Sequence, residues 1–122
     1  MRLWVAVLLA LCLAVPAGGA QTGPDTSFYQ GLGTWVDLWD GTVWAKPEAA
    51  VARMSDLGVT TLYIETSNFS QKVDLVRPTD LGRFVDAAHA NGLRVVAWYL
   101  PSLRNLARDL RRSLAAIRFR SA

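Results

Sequence analysis

The stretch GLGTWVDLWD, residues 31–40, decides how this chain is interpreted, because its side chains alternate in character. Over residues 34–39, small or aliphatic side chains occupy every second position. The positions between them present the Asp37 carboxylate between Trp35 and Trp39. Successive side chains of a strand point to opposite faces. We therefore predict a strand over residues 34–39, with one side buried under helices and the other facing a ligand.

Two further strands and three helices follow along the chain. Proline at the first helical position and glycine after the last are typical helix boundaries. After a loop that carries Trp44, the pattern predicts a helix over residues 47–57, a strand over 59–65 and a polar loop over 66–68. A second helix is predicted over 79–91, with Thr79 as its cap. A strand over 94–100 follows, and Pro101 and Ser102 lead into a third helix. The repeated strand-loop-helix order predicts an α/β fold with a parallel sheet and right-handed crossovers.

The sequence also predicts which side chains are buried. Leu62 and Ile64 face the helices, and the near-continuous apolar run of the third strand predicts burial on both of its faces. In the third helix, apolar residues recur at steps of three and four, which indicates a buried stripe with the arginines off it. The stripe comprises Leu103, Leu106, Leu110, Leu114 and Ile117.

Residues 1–20 have the pattern of a secretory signal peptide. Arg2 precedes an apolar run, and small residues at Gly18 and Ala20 favour cleavage before Gln21. Residues 21–30 then form a polar lead-in to a domain that occupies residues 31–122. We expect a secreted or otherwise extracytoplasmic protein without a stable membrane anchor after cleavage. The single cysteine, Cys12, lies inside the leader, so the mature chain has no disulfide.

The 122 residues carry a net charge of +3, and the positive charge is concentrated near the end of the chain. Residues 103–122 contain one acidic residue, Asp109, and the arginines Arg104, Arg108, Arg111, Arg112, Arg118 and Arg120. Two interpretations remain open. The arginines form the solvated face of a helix, or they bind an anionic surface such as a membrane or nucleic acid. We expect the first, and therefore no nucleic-acid partner.

Polar and aromatic residues gather at the predicted carboxyl ends of the strands, where parallel folds bind ligands. Asp37 and Glu65 are candidate catalytic carboxylates, since most glycosidases use a pair of them. The alternative is that both are structural and accept hydrogen bonds from backbone amides. The predicted substrate-binding residues are Trp35, Trp39, Asp40, Tyr63, Asn68, Trp98 and Tyr99. His89 has no second ligand at metal-binding spacing, and no glycine-rich loop follows a strand, so we predict neither a metal nor a cofactor.

Three stretches resemble the opening of a group of exported bacterial TIM-barrel proteins, the glycoside-hydrolase-like family. They are residues 33–40 (GTWVDLWD), 58–66 (GVTTLYIET) and 87–101 (AAHANGLRVVAWYLP). The resemblance implies a (β/α)8 barrel that hydrolyses O-glycosyl bonds, with a polysaccharide or oligosaccharide as substrate. Barrels of this group carry their catalytic acids on the fourth and later strands, for which this sequence has no counterpart.

A complete barrel takes roughly 250 residues and eight βα units, whereas three units are recognisable here. We therefore expect the amino-terminal three βα units of an incomplete barrel, in a fragment that contributes part of a sugar-binding cleft and is itself inactive. Its catalytic residues are unknown. A different class of function, a non-catalytic carbohydrate-binding or assembly piece, would retain the aromatic residues without an acid/base pair.

Overall fold

The computed structural model describes residues 23–121, which form an α/β fold with a three-stranded parallel sheet and four helices. Residues 1–22 and residue 122 lie outside the described residues, and the predicted signal peptide and Cys12 lie outside with them. The elements are β1 (Leu32–Val36), α1 (Gly41–Trp44), α2 (Pro47–Asp56), β2 (Val59–Asn68), α3 (Pro78–Ala90), β3 (Arg94–Leu100) and α4 (Leu106–Arg118). One turn of 3-10 helix, Ser27–Tyr29, precedes them.

The sheet order is β1-β2-β3, so each strand lies beside the one that precedes it in the chain. Trp35 pairs with Tyr63 in the first ladder, and Glu65 pairs with Trp98 in the second. Prolines begin α2 and α3, and Gly58 and Gly92 follow their ends with φ of 80° and 73°. Residues other than glycine rarely adopt that backbone conformation, so these two glycines allow the helix ends to be predicted from the sequence.

The hydrophobic core lies between the sheet and the helices α2 and α3. Leu62 and Ile64 are fully buried there, as predicted, beneath Val51 of α2 and Phe84 of α3. Trp44 is 1% exposed and meets the Phe84 ring edge-on, with centroids 5.0 Å apart. A buried ring of this size and a packed aromatic pair each stabilise the fold, together by several kcal/mol.

Two predictions around the first strand are wrong. β1 ends at Val36 rather than at residue 39, because the Asp37 carboxylate accepts a hydrogen bond from the Trp39 N–H (2.6 Å) and turns the chain. Trp44 belongs to the short helix α1 rather than to a loop, and its indole N–H donates to the Asp37 carbonyl (2.7 Å). Local side-chain hydrogen bonds have therefore replaced the last part of the predicted strand.

Two further predictions, the end of β2 and the cap of α3, also differ from the structure. Residues 66–68, predicted as a polar loop, continue β2, since their partners in β3 extend the ladder to Leu100. Thr79 does not cap α3. The capping position is Arg77, in a left-handed conformation with φ of 48° and with no side-chain capping bond. α2 ends at Asp56, one residue before the predicted end, and Leu57 follows it as the C-cap.

β3 has the predicted bounds but not the predicted burial. It is an edge strand of the described sheet, and most of its side chains are half-buried. β2 is the most buried strand, with eight of its ten residues buried. A continuous apolar run therefore identified a strand correctly but did not identify the central one.

The predicted orientation of the last helix is wrong. Leu106, Leu110 and Ile117 of the predicted stripe are 57–80% exposed, and Leu114 is half-buried. Leu103 is 83% exposed and lies before the helix. Asp109 and Arg112, by contrast, are 6% and 2% exposed. At 100° per residue, the buried side of α4 lies about 120° around the helix from the leucine stripe. The helix begins at Leu106, several residues later than predicted, with the Asn105 side chain accepting the Arg108 N–H as its cap (3.0 Å).

Candidate functional site

Three aromatic side chains meet on the open face, which we define as the face of the sheet opposite α2 and α3. Trp35 stacks on Tyr63 with ring centroids 4.4 Å apart and planes 20° apart. Trp98 meets Trp35 edge-on at 6.0 Å. One residue comes from each strand, and the pairing of the ladders places them side by side. We call Trp35, Tyr63 and Trp98 the aromatic cluster.

Trp35 is the accessible member of the aromatic cluster. Its side chain is 64% exposed although one side of its ring is stacked on Tyr63. An exposed indole in contact with two other rings is held in a defined position, and its free surface is available to a ligand.

Gly33 determines where the Tyr63 ring lies. A Cβ at position 33 would come within 2.7 Å of Tyr63 Cε2, a distance that real side chains do not adopt. The Tyr63 ring therefore lies directly over the glycine backbone, next to Trp35. No pattern in the sequence indicates this role, because it depends on the register between β1 and β2.

Glu65 lies on the open face but is 2% exposed. Its Oε2 accepts a hydrogen bond from the Leu38 N–H (3.0 Å) and so ties β2 to the turn after β1. Asp37 accepts the Trp39 N–H with Oδ1. Each of the two candidate catalytic carboxylates thus makes a backbone hydrogen bond in the described structure, which is the geometry of the structural alternative.

Asp40 and Trp39 lie in the turn that follows β1. Asp40 Oδ2 accepts the Asp37 N–H (3.1 Å), and the Asp40 carbonyl accepts the Val43 and Trp44 N–H groups at the start of α1. Trp39 is 73% exposed. Trp39 has no contact with the aromatic cluster among the aromatic pairs of residues 23–121.

Asn68 and Tyr99, the other predicted binding residues, are not brought to the aromatic cluster. Asn68 is buried, and its Oδ1 accepts hydrogen bonds from the backbone N–H and the hydroxyl of Ser70. Tyr99 follows Trp98 in the strand and so points to the opposite side of the sheet, where its hydroxyl donates to Asp109 Oδ1 (2.7 Å). Ser67 is buried too and donates to the Val73 carbonyl.

A buried polar contact region lies between α4 and the strand ends, and no pattern in the sequence indicates it. The Arg112 guanidinium donates to the Asn68 carbonyl (2.5 Å) and to the Gln71 carbonyl, and it lies over the Tyr99 ring at 5.9 Å. Its Nε is 3.6 Å from Asp74 Oδ1, too far for a hydrogen bond, and is buried without an acceptor among the described residues. The buried arginine therefore holds the loop after β2.

Asp109 is the acidic member of this region. It accepts hydrogen bonds from the Tyr99 hydroxyl and from the Leu103 N–H (3.0 Å). The hydrogen bond from Tyr99 contributes most to holding the Asp109 pKa below the 3.8 ordinary for aspartate, and burial opposes it. A sequence signal existed, since Asp109 is the only acid among six arginines, but nothing in the sequence showed that it is buried.

A partly open cavity of about 300 Å³ lies on the helical side of the sheet, between α3 and α4. Its walls are mostly apolar, with His89 and Arg120 at its rim. It lies where α4 presents Ala116 instead of a large side chain towards the sheet, so it is a gap in the packing between helix and sheet.

Residues 23–121 contain no cluster of three or more His, Cys, Asp or Glu side chains that could hold a metal ion. No helix of that same part of the chain has the length and apolarity that a membrane crossing requires. Comparison with protein-family models, with curated proteins and with solved structures finds no match to this chain.

Proposed function

We propose that this chain is an exported, glycoside-hydrolase-like protein whose described residues form one wall of a carbohydrate-binding cleft. The observation that carries the proposal is the aromatic cluster on the open face, with Trp35 both stacked and 64% exposed. The C–H groups of a sugar ring carry partial positive charge and are attracted to the negative face of an aromatic ring. A fixed, exposed indole is suited to that contact.

The order of the elements supports the same proposal. Three consecutive βα units with parallel neighbouring strands are the arrangement from which a (β/α)8 barrel is built. On that architecture the open face corresponds to the barrel interior, and the carboxyl ends of the strands correspond to the ligand-binding end. The resemblance of residues 33–40, 58–66 and 87–101 to exported glycoside-hydrolase-like barrels supports the assignment of substrate class.

We assign binding rather than hydrolysis to the described residues. Glu65 and Asp37 each accept a backbone hydrogen bond, and Glu65 is almost fully buried. A retaining or inverting glycosidase needs two carboxyl groups that flank the scissile bond and exchange protons with the substrate. Each carboxylate already has one oxygen engaged by the backbone, which favours the binding role.

Affinity gel electrophoresis against soluble β-glucan, α-glucan, xylan and mannan tests the proposal. We expect at least one glycan to retard the chain, and Trp35→Ala to weaken that interaction about 2- to 10-fold, the value of one aromatic contact. Tyr29→Ala is the matched control, because Tyr29 is a similarly exposed ring (59%) outside the aromatic cluster. Equal retardation of wild type and Trp35→Ala on every glycan would contradict the proposal.

Release of reducing sugar from the retarding glycan separates binding from catalysis. We expect no release by the wild-type chain. Glu65→Gln can still accept the Leu38 N–H, so it should bind as the wild type does. Hydrolysis by the wild type that disappears in Glu65→Gln would establish an enzyme and replace the binding role.

A further inference from the structure

The cavity between α3 and α4 is large enough to hold a small organic molecule. Its walls are formed mainly by aliphatic and aromatic side chains: Ile64 and Val95 of the sheet, Leu81 and Val85 of α3, and Phe119 after α4. Its volume of about 300 Å³ is about twice that of an engineered apolar cavity that binds benzene. Protein interiors are close-packed and contain few voids of this size, whereas ligand pockets often have it.

The interior of the cavity suits a hydrocarbon group. Thr66 is the only fully buried polar side chain among the described residues that line it. The Thr66 hydroxyl donates to the Trp98 carbonyl (3.1 Å), so its proton is already engaged. A polar group that is buried without a hydrogen-bond partner costs free energy. The interior therefore disfavours a sugar or a peptide segment, whose hydroxyl or amide groups would lack partners there.

The rim of the cavity is basic. It carries His89 of α3 and Arg120 after α4, and both residues are exposed. No Asp or Glu lies among the described residues that line the cavity. Arg120 Nη1 donates to the carbonyls of Ile117 and Phe119, and Nη2 has no acceptor within residues 23–121. The charge at the rim therefore complements an anionic head group.

We propose that this cavity binds a medium-chain fatty acid. An alkyl chain of about eight to twelve carbon atoms fits the volume, judged from the benzene-binding cavity of half the size. The chain lies among the apolar walls beneath Ala116, and the carboxylate lies at the rim, where it accepts hydrogen bonds from the Arg120 guanidinium. The cavity is on the helical side of the sheet, so this binding is independent of the glycan contact proposed for the open face.

Nuclear magnetic resonance of the full 122-residue chain, with isotope-labelled valine methyl groups, tests the proposal. We expect octanoate to shift the methyl resonances of Val85 and Val95, which line the cavity, in a saturable manner. The resonances of Val51, which is buried under α2 away from the cavity, should not move. The comparison between positions separates binding in the cavity from binding to the apolar leader.

A variant that fills the cavity tests its role in binding. Ala116→Leu places additional methyl groups in the cavity and should weaken octanoate binding about tenfold, since a packed site does not accept further methylene groups. Ala52→Leu, at an exposed position of α2, is the matched control and should bind as the wild type does. Trp35→Ala, which removes the proposed glycan contact, should also bind octanoate unchanged.

The charge at the rim is tested with a neutral ligand of the same length. Octanol should bind about two- to fivefold more weakly than octanoate, the value of one partly exposed ion pair. Arg120→Gln should weaken octanoate binding by the same factor and leave octanol binding unchanged. Arg118→Gln is the matched control, because Arg118 is exposed and does not line the cavity.

Three results would overturn the proposal. These are no shift of Val85 and Val95 with octanoate, an equal shift of Val51, or undiminished octanoate binding by a folded Ala116→Leu. Equal affinity for octanoate and octanol, unaffected by Arg120→Gln, would assign the cavity to a neutral apolar ligand and exclude the fatty acid. The exposed position of Arg120 keeps this last comparison decisive even if Ala116→Leu does not fold.

Discussion

Replacing Arg112 with methionine tests whether buried polar contacts, rather than burial of apolar side chains, fix the orientation of α4. The guanidinium is 2% exposed and satisfies the carbonyls of Asn68 and Gln71. Methionine has a similar length and no donor. The Asn68 carbonyl keeps the Gln71 N–H as a donor, whereas the half-buried Gln71 carbonyl loses its donor among the described residues.

The expected loss follows from these contacts. Each hydrogen bond from a charged donor contributes about 1.5–3 kcal/mol, so loss of the two guanidinium bonds costs about 3–6 kcal/mol. Relief of the desolvation of the buried charge offsets part of this loss, so we expect the free energy of unfolding to fall by about 2–4 kcal/mol. That is a large part of the 5–15 kcal/mol typical of a whole domain.

Urea denaturation followed by tryptophan fluorescence measures the change, with Arg111→Met as the matched control. Arg111 lies beside Arg112 but is exposed, and its guanidinium pairs with Asp74 alone among the described residues. Its loss should therefore leave the urea midpoint nearly unchanged. Equal midpoints for wild type and Arg112→Met would refute the reasoning. The orientation of α4 would then depend on something other than Arg112.

Three further predictions follow from other contacts. Gly33→Ala should displace the Tyr63 ring, because the added Cβ would lie within 2.7 Å of it, and should reduce both the near-ultraviolet circular dichroism and the glycan retardation. The free energy of unfolding should fall as the pH drops below about 4. The pKa of Asp109 in the folded chain lies below the ordinary 3.8, so the carboxylate stabilises the fold above pH 3.8. This stabilisation is lost as the pH falls and the carboxylate is protonated. Ala116→Leu should raise the free energy of unfolding by about 1 kcal/mol by filling the cavity beside α4.

Each of these predictions has a control and a contradicting result. For Gly33 the control is Gly41→Ala, where an added Cβ meets nothing within 4 Å; equal spectra of wild type and Gly33→Ala would contradict the role of the glycine. For the acid transition, Asp109→Asn should depend less on pH than the wild type, and parallel curves would exclude Asp109 as a source. For the cavity, Ala52→Leu on the exposed side of α2 is the control, and a destabilised Ala116→Leu would show that the gap cannot accept the side chain.

The sequence by itself determined the elements whose signals are local. Pro47 and Gly58 bound the first long helix because proline and glycine act through their own backbone preferences. The alternation through Leu62 and Ile64 identified the buried side of β2, since the period of a strand is a property of the chain alone. Repetition of these signals predicted the parallel α/β order.

The tertiary structure alone decided which predicted residues come together. The sequence marked seven binding candidates, and the register of the sheet brings three of them, Trp35, Tyr63 and Trp98, into contact. It directs Tyr99 to the other side of the sheet. Contacts across strands depend on pairing between distant residues, which no local pattern encodes.

The last helix shows the same limit most clearly. Leu106, Leu110 and Ile117 share a side of α4, as their spacing predicts, but a helical pattern does not state whether that side faces inward. Partners far along the chain, such as Asn68 and Tyr99, fix the rotation through Arg112 and Asp109. The sequence determined the amphipathic helix, and long-range hydrogen bonds decided which of its sides is buried.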